Sequence, residues 1–396
     1  MLLLSGCDLF TSSGSPSETS RDRYLRVGYI LGQSALKASP SEARRRLALP
    51  DRRRTSTVRL AAEAADRLTH LNYAFANVTK RGRVVLERRR DSVNLMRLGA
   101  LRDDHPDLKL LLSIGGWAWS DYFSNAALTD ASRRRFARSA VRLLDTYNLD
   151  GLDINWEFPG RPGQDNIHRS EDAENFTRLL RTVRAHLKAQ GKADGRTGED
   201  RYLLTVAAGA TRQYLRHTNM TEAHKPLDFI NLMTYNFRGR WSLQTGHHAN
   251  LRAPADVPQA LSAAASVEMW TNMGIPTRKL VLGVPFYGRG WGGVRSSNRG
   301  LHQPYDKALG AFSYETLAQS YVNQRGFARY WDASAQAPYL WSPDSLTFIS
   351  YENPRSVRAK ADFVRSRGLG GLMYWQHTHD TGALLKALDE GLTAPS

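Results

Sequence analysis

Eight short apolar runs, separated by stretches that carry helical periodicity or turn residues, constrain this chain more than any other feature. The runs are LRVGYI (25–30), LTHLNYAFANV (68–78), LKLLLSIGGW (108–117), LDGLDINWEF (149–158), YLLTVAAGA (202–210), LDFINLMTYNF (227–237), KLVLGVPFYG (279–288) and GLGGLMYW (368–375). Several are almost continuously hydrophobic, the pattern of parallel strands covered on both faces. Between them, SRRRFARSAVRLLDTY (132–147) and AENFTRLLRTVRAHLKAQG (173–191) place Leu, Val and Phe at helical spacing. Eight such alternations predict an α/β chain folded as a (β/α)8 TIM barrel over residues 24–390. The alternative, a six-stranded doubly wound sheet, lacks the glycine-rich dinucleotide loop after its first strand, and no cofactor is expected.

One connection is too long for a crossover helix. Between Trp291 and Arg367 lie strand-like and helix-like pieces such as TLAQSYVN, ARYWD and LTFISYE. Residues 292–350 are therefore expected to form a small α+β insertion after the seventh strand, on the face where barrel active sites lie.

The formal charge of +17 favours anionic partners, but the arginines are dispersed in short knots such as Arg52–Arg54 and Arg133–Arg135. No zinc-finger, helix-turn-helix or RNA-binding pattern accompanies them, so nucleic acid is not an expected partner. The single cysteine, Cys7, excludes an intrachain disulfide. Its context, Leu4-Ser5-Gly6-Cys7, is similar to a bacterial lipobox, in which the cysteine is lipidated. Residues 1–23 then read as this lipobox followed by a polar tether, DLFTSSGSPSETS. The apolar run before Cys7 is short for a signal peptide, which suggests a start codon placed too late. The expectation is an exported protein, secreted or held at the cell envelope by a lipid anchor.

The fourth run holds the chemistry. A strand alternates faces, so Asp153, Asn155 and Glu157 share one side while Leu152, Ile154 and Trp156 take the other. Three polar side chains in a row inside a barrel are costly unless something uses them. Glu157 lies nearest the C-terminal mouth. Asp150 is out of parity and is expected to fix the strand start. The pairs His247-His248 and His377-x-His379 lack a convincing third ligand, and no metal site is expected.

DGLDINWE resembles the DxxDxDxE signature of glycoside hydrolase family 18, the chitinase family. SIGGW (Ser113–Trp117) is similar to that family's SxGG motif and MTYN (Met233–Asn236) to its MxYD motif. GVPFYGRGW (Gly283–Trp291) and LMYWQ (Leu372–Gln376) are similar to its seventh and eighth strands. The resemblance spans residues 25–380 in family order. It implies retaining hydrolysis of β-1,4-linked N-acetylglucosamine, with the substrate as its own nucleophile. Glu157 would be general acid and then base, Asp153 its electrostatic support, and Tyr235 a donor to the acetamido oxygen. Tyr29 and Ser113 would hold Asp153. Trp375 would floor the sugar before the cut, and Trp117 would stack beyond it. Phe75, Met233, Tyr287 and Arg289 match further pocket positions. Chitin or chitooligosaccharides are the implied partners, acted on by a monomer.

Two positions depart from the pattern. Asn155 and Asn236 stand where the family has aspartate. Asn155 can accept the acetamido N–H but takes no proton and supplies no charge. The departures predict a slower or retuned hydrolase. With an amide at 155, Asp153 is expected to stay ionised and its charge to raise the pKa of Glu157. Two rivals remain: a lectin-like barrel that binds chitooligosaccharides without cutting them, and a hydrolase of another N-acetylhexosamine glycan such as peptidoglycan.

Overall fold

The computed structural model describes residues 24–32 and 64–394; Cys7 and the polar stretch after it lie outside the described residues. Eight parallel strands close on themselves. In chain order they are β1 (Leu25–Leu31), β2 (His70–Val78), β4 (Lys109–Gly115), β5 (Gly151–Asn155), β6 (Leu203–Gly209), β7 (Phe229–Met233), β8 (Leu280–Pro285) and β14 (Gly371–Trp375). The order around the barrel is β1-β14-β8-β7-β6-β5-β4-β2, and pairing of β1 with β2 closes it. A short strand β3 (Val84–Val85) pairs antiparallel with β2. The expected (β/α)8 barrel is therefore the fold.

Each barrel strand buries both faces, which is why the runs read as continuous rather than alternating. Leu152, Ile154 and Trp156 face outward into the layer between barrel and helices. There helix α1 (Asp130–Thr146) packs Phe136, Ala140 and Leu144, and helix α2 (Asp172–Ala193) packs Phe176, Leu180, Val183 and Leu187. Trp156 stacks on Phe123 at 5.3 Å and meets the edge of Phe176 at 5.8 Å. Each fully buried Leu or Phe in this layer contributes ~1.5–3 kcal/mol. Thr129 starts α1 by accepting the backbone N–H of Ser132, and Asn353 does the same through Ser356 for α3 (Pro354–Arg367), which ends on Gly368 at φ 60°.

The second sheet is antiparallel: β9 (Tyr287–Gly292), β10 (Lys307–Ser313), β11 (Ala328–Asp332), β12 (Ala337–Ser342) and β13 (Thr347–Ser350), in the order β10-β9-β13-β12-β11. It begins at Tyr287, ahead of the 292 expected from sequence. The run KLVLGVPFYG is two strands, because Phe286 turns its N–H to the carbonyl of Trp375 and its ring stacks on Tyr374 at 4.3 Å. Tyr287 and Arg289 are thus carried by the second sheet rather than by the seventh barrel strand.

Candidate active site

Asp150, at the start of β5, serves the frame. Its carboxylate accepts the N–H of Leu110 and pairs with Arg102 and Arg196. Register then sets the centre. Ser113, Asp153 and Thr205 lie side by side on β4, β5 and β6, so all three point into the barrel. Asp153 is fully buried, and every polar contact it makes is an acceptance. Its Oδ2 accepts Tyr29 Oη–H at 2.8 Å and Ser113 Oγ–H at 2.7 Å. Its Oδ1 accepts Thr205 Oγ1–H at 2.6 Å and, more weakly, Asn231 Nδ2–H at 3.4 Å. Burial pushes the Asp153 pKa up, and these four donors pull it back. A carboxylate ringed by donors is the ionised form's pattern.

Asn155 ends β5, and its Oδ1 is buried with no hydrogen-bond partner among the described residues. Glu157 lies two residues beyond the strand rather than within it. What holds it is Ser120, whose hydroxyl donates to the carbonyls of Gly116 and Asn155 and accepts the Glu157 N–H at 2.9 Å. Gly115 and Gly116 make this crossing possible. Both have positive φ, and a Cβ on Gly115 would come within 2.4 Å of the Asn155 carbonyl. The Glu157 carboxyl makes no hydrogen bond to the described residues, and burial alone pushes its pKa from 4.5 up to about 7. The rise was expected from the charge of Asp153; desolvation causes it instead.

Tyr235 and Asn236 follow β7, where Thr234 Oγ1 takes over the backbone of Gly283 on β8. Tyr235 is buried and its hydroxyl makes no hydrogen bond to the described residues; a side chain at Gly283 would crowd its ring. Asn236 adopts φ 59°, and its Oδ1 accepts Tyr287 Oη–H at 2.8 Å and Arg289 Nε–H at 2.7 Å. Trp375 ends β14, stacked on Phe75 at 5.5 Å and tilted against Tyr29 at 5.6 Å. Met233 packs in the same interior cluster. Trp117 is 48% exposed at the end of β4 and meets the edge of Phe158. The thirteen expected site residues thus converge on the C-terminal end of one barrel, around Asp153 and Glu157.

Four further residues were not expected from sequence: Thr205, Asn231, Ser120 and Trp241. Trp241 is 58% exposed and lies over the Arg289 guanidinium at 5.3 Å. Of the histidines, His247 pairs with Asp332 at 3.1 Å and His377 Nδ1 meets Tyr374 Oη at 3.0 Å. Among the described residues no group of three side chains is arranged to hold a metal ion.

A carboxyl at the end of the fourth strand of a (β/α)8 barrel, near a buried carboxylate and beside tyrosine and tryptophan faces, is an arrangement suited to acid–base chemistry on a sugar. The chain belongs to the glycosyl hydrolases family 18, whose model matches residues 46–380. It is 40% identical to Chitinase A1 of Niallia circulans over 308 residues, 74% of this chain and 44% of that one. To Chitinase B of Serratia marcescens it is 31% identical, over 83% of this chain and 77% of that one. The chain therefore spans less than half the length of the first of these relatives. A solved family 18 N-acetylglucosaminidase of Paenibacillus barengoltzii superposes with a TM-score of 0.81 at 38% identity, covering 93% of this chain and 99% of that one.

Proposed function

We propose that this protein hydrolyses β-1,4-linked N-acetylglucosamine chains, chitin or chitooligosaccharides, with retention and through an oxazolinium intermediate. The observation that carries this reading is Glu157: a carboxyl whose pKa burial raises to about 7, without a hydrogen bond to the described residues, beside the buried acceptor Asp153. Protonated near neutrality, Glu157 gives its proton to the glycosidic oxygen as the C1–O bond breaks. The substrate's acetamido oxygen closes on C1, and Tyr235 donates to that oxygen. The N–H of the acetamido group meets the unpartnered Oδ1 of Asn155. Asp153 supplies the negative charge beneath the cationic ring. Glu157, now ionised, takes a proton from the water that attacks C1 and reopens the ring. Trp375 is the platform for the sugar before the cut.

The test is release of fluorophore from chitobiose and chitotriose glycosides, with the product anomer read by proton NMR. β-Anomer appearing first, and loss of activity in Glu157→Gln, support the reading. Initial α-anomer, or activity that survives Glu157→Gln, would overturn it. The same reading holds that the protein is exported as a monomer and lipidated at Cys7. Fatty-acid labelling that disappears in Cys7→Ser tests the anchor, and light scattering tests the oligomeric state.

A further inference from the structure

A cleft of about 630 Å³ opens at the end of the barrel opposite the catalytic residues. Its walls come from segments that precede strands: Tyr202 before β6, Leu227 and Asp228 before β7, and Arg278 and Lys279 before β8, together with the C-terminal half of α2. The catalytic residues sit where strands end, so strands of five to seven residues separate the two sites by roughly 20 Å.

The charge of this cleft is one-sided. Its lining carries eight Lys and Arg side chains and a single carboxylate, Asp228. Asp228 is spent on Arg184 and Arg201, Arg196 pairs with Asp150, and Lys225 with Glu222. Lys188, Lys192 and Arg278 are exposed and have no carboxylate partner among the described residues. Two of these three extend from the last turns of α2, where the helix dipole adds negative potential but no counter-ion. With the half-buried Lys279, whose Nζ donates only to the carbonyls of His224 and Leu227, four cations of this surface have no carboxylate partner among the described residues, which suits an anionic partner.

The path of the chain says which partner. All eight barrel strands are parallel, so Tyr24, entering β1, emerges at the same end as the cleft, and only β14 lies between β1 and β8. Sixteen residues separate Tyr24 from the lipobox-like Cys7, a span of at most ~60 Å. We infer that the basic cleft is a docking face for an acidic phospholipid bilayer, which seats the barrel base-down and turns the catalytic mouth outward to the glycan. Lys188, Lys192 and Arg278 are the headgroup contacts. This inference goes beyond the hydrolytic reading and, in its choice of a bilayer as partner, rests on the proposed lipobox at Cys7.

The test uses the full chain as Cys7→Ser, so that a lipid anchor plays no part. It is sedimented with vesicles of phosphatidylcholine containing roughly one-third phosphatidylglycerol, and with phosphatidylcholine alone. Binding to the acidic vesicles only, weakening as salt shortens the screening length, is expected. Combined Lys188→Gln, Lys192→Gln and Arg278→Gln should weaken it on the order of a hundredfold. Hydrolysis of a soluble chitobioside should be unchanged, which also shows that the variant folds. A charge-matched variant at Arg134, Arg138 and Arg142, exposed on α1, should bind nearly as the parent does. Three results would overturn the inference: equal binding to neutral vesicles, equal loss in the α1 variant, or capture by double-stranded DNA without vesicle binding.

Discussion

Arg289 donates its Nε–H to the side-chain oxygen of Asn236 across 2.7 Å, so the guanidinium beside the catalytic pocket is met by an amide. Tyr287 donates to the same oxygen, and Trp241 covers the guanidinium face. An amide accepts these bonds without neutralising the charge. Hydrogen bonds to an ionised acceptor are roughly twice as strong as neutral ones. Asn236→Asp is therefore expected to stabilise the fold by ~0.5–1.5 kcal/mol near neutral pH, since aspartate tolerates the left-handed backbone at 236 as asparagine does. Urea denaturation at pH 7 measures it; a lowered midpoint would mean that Arg289 is already neutralised by another route.

Asn155 presents a different case, since its buried Oδ1 has no hydrogen-bond partner among the described residues. An aspartate there would give the acetamido N–H an ionised acceptor and place a second negative charge near the oxazolinium. A charge-assisted bond at the transition state is worth ~1.5–3 kcal/mol, roughly ten- to a hundredfold in rate. Asn155→Asp should raise kcat by a factor in that range near neutral pH, where the added carboxylate is ionised. A fall in kcat in a variant with unchanged melting temperature would show that the site is built around the amide.

The barrel and the carboxyl just past its fourth strand were readable because their signals are local. Strand runs, the alternation of Asp153 and Asn155, and the motif ending in Glu157 each occupy one short stretch. Thr205 could not be read this way. It lies 52 residues from its partner, and threonine in a strand is unremarkable until register sets it beside Asp153. Asn231 left a trace, a lone amide inside the apolar run FINLM and in phase with Met233 and Tyr235. Ser120 left none, because its role depends on how the chain leaves β4. The break at Phe286 left one trace, Pro285 immediately before it, within an apolar run that passes from one sheet into another.

Glu157 gives two pH predictions of definite sign. As general acid it must be protonated, so kcat/KM should fall above pH ~7, where the carboxyl titrates. Stability follows the same group. Its pKa is raised from 4.5 in the unfolded chain to about 7 in the folded one, so the folded state holds the proton more tightly. Below pH 4.5 both states are protonated and the burial costs nothing. As pH rises through 7 the folded state must ionise a desolvated carboxyl, at a cost of up to ~3 kcal/mol. Glu157→Gln removes that cost, so it should melt higher than the parent at pH 8 and nearly level with it at pH 4.5, while activity drops ~100- to 10,000-fold. Differential scanning calorimetry at the two pH values decides it; an equal gain at both would assign the effect to packing.

The donors around Asp153 supply the last prediction. Thr205 and Ser113 each give a short hydrogen bond to a carboxylate that burial would otherwise drive towards its neutral form. Thr205→Val keeps the shape and removes one donor. Loss of a hydrogen bond to a buried charge costs ~1.5–3 kcal/mol. The sign in pH follows from which form the donor favours. With Thr205 gone the ionised form is less supported, so the pKa of Asp153 rises further. In the proposed mechanism Asp153 works ionised beneath the cationic intermediate, so the acid limb of the kcat profile should move to higher pH. The alkaline limb, set by Glu157, should stay where it is. Ser113→Ala should act in the same direction through the other oxygen, and because both donors serve one carboxylate their effects should be non-additive. A Thr205→Val enzyme with both limbs unmoved and only its stability lowered would show that Asp153 is neutral in the working enzyme.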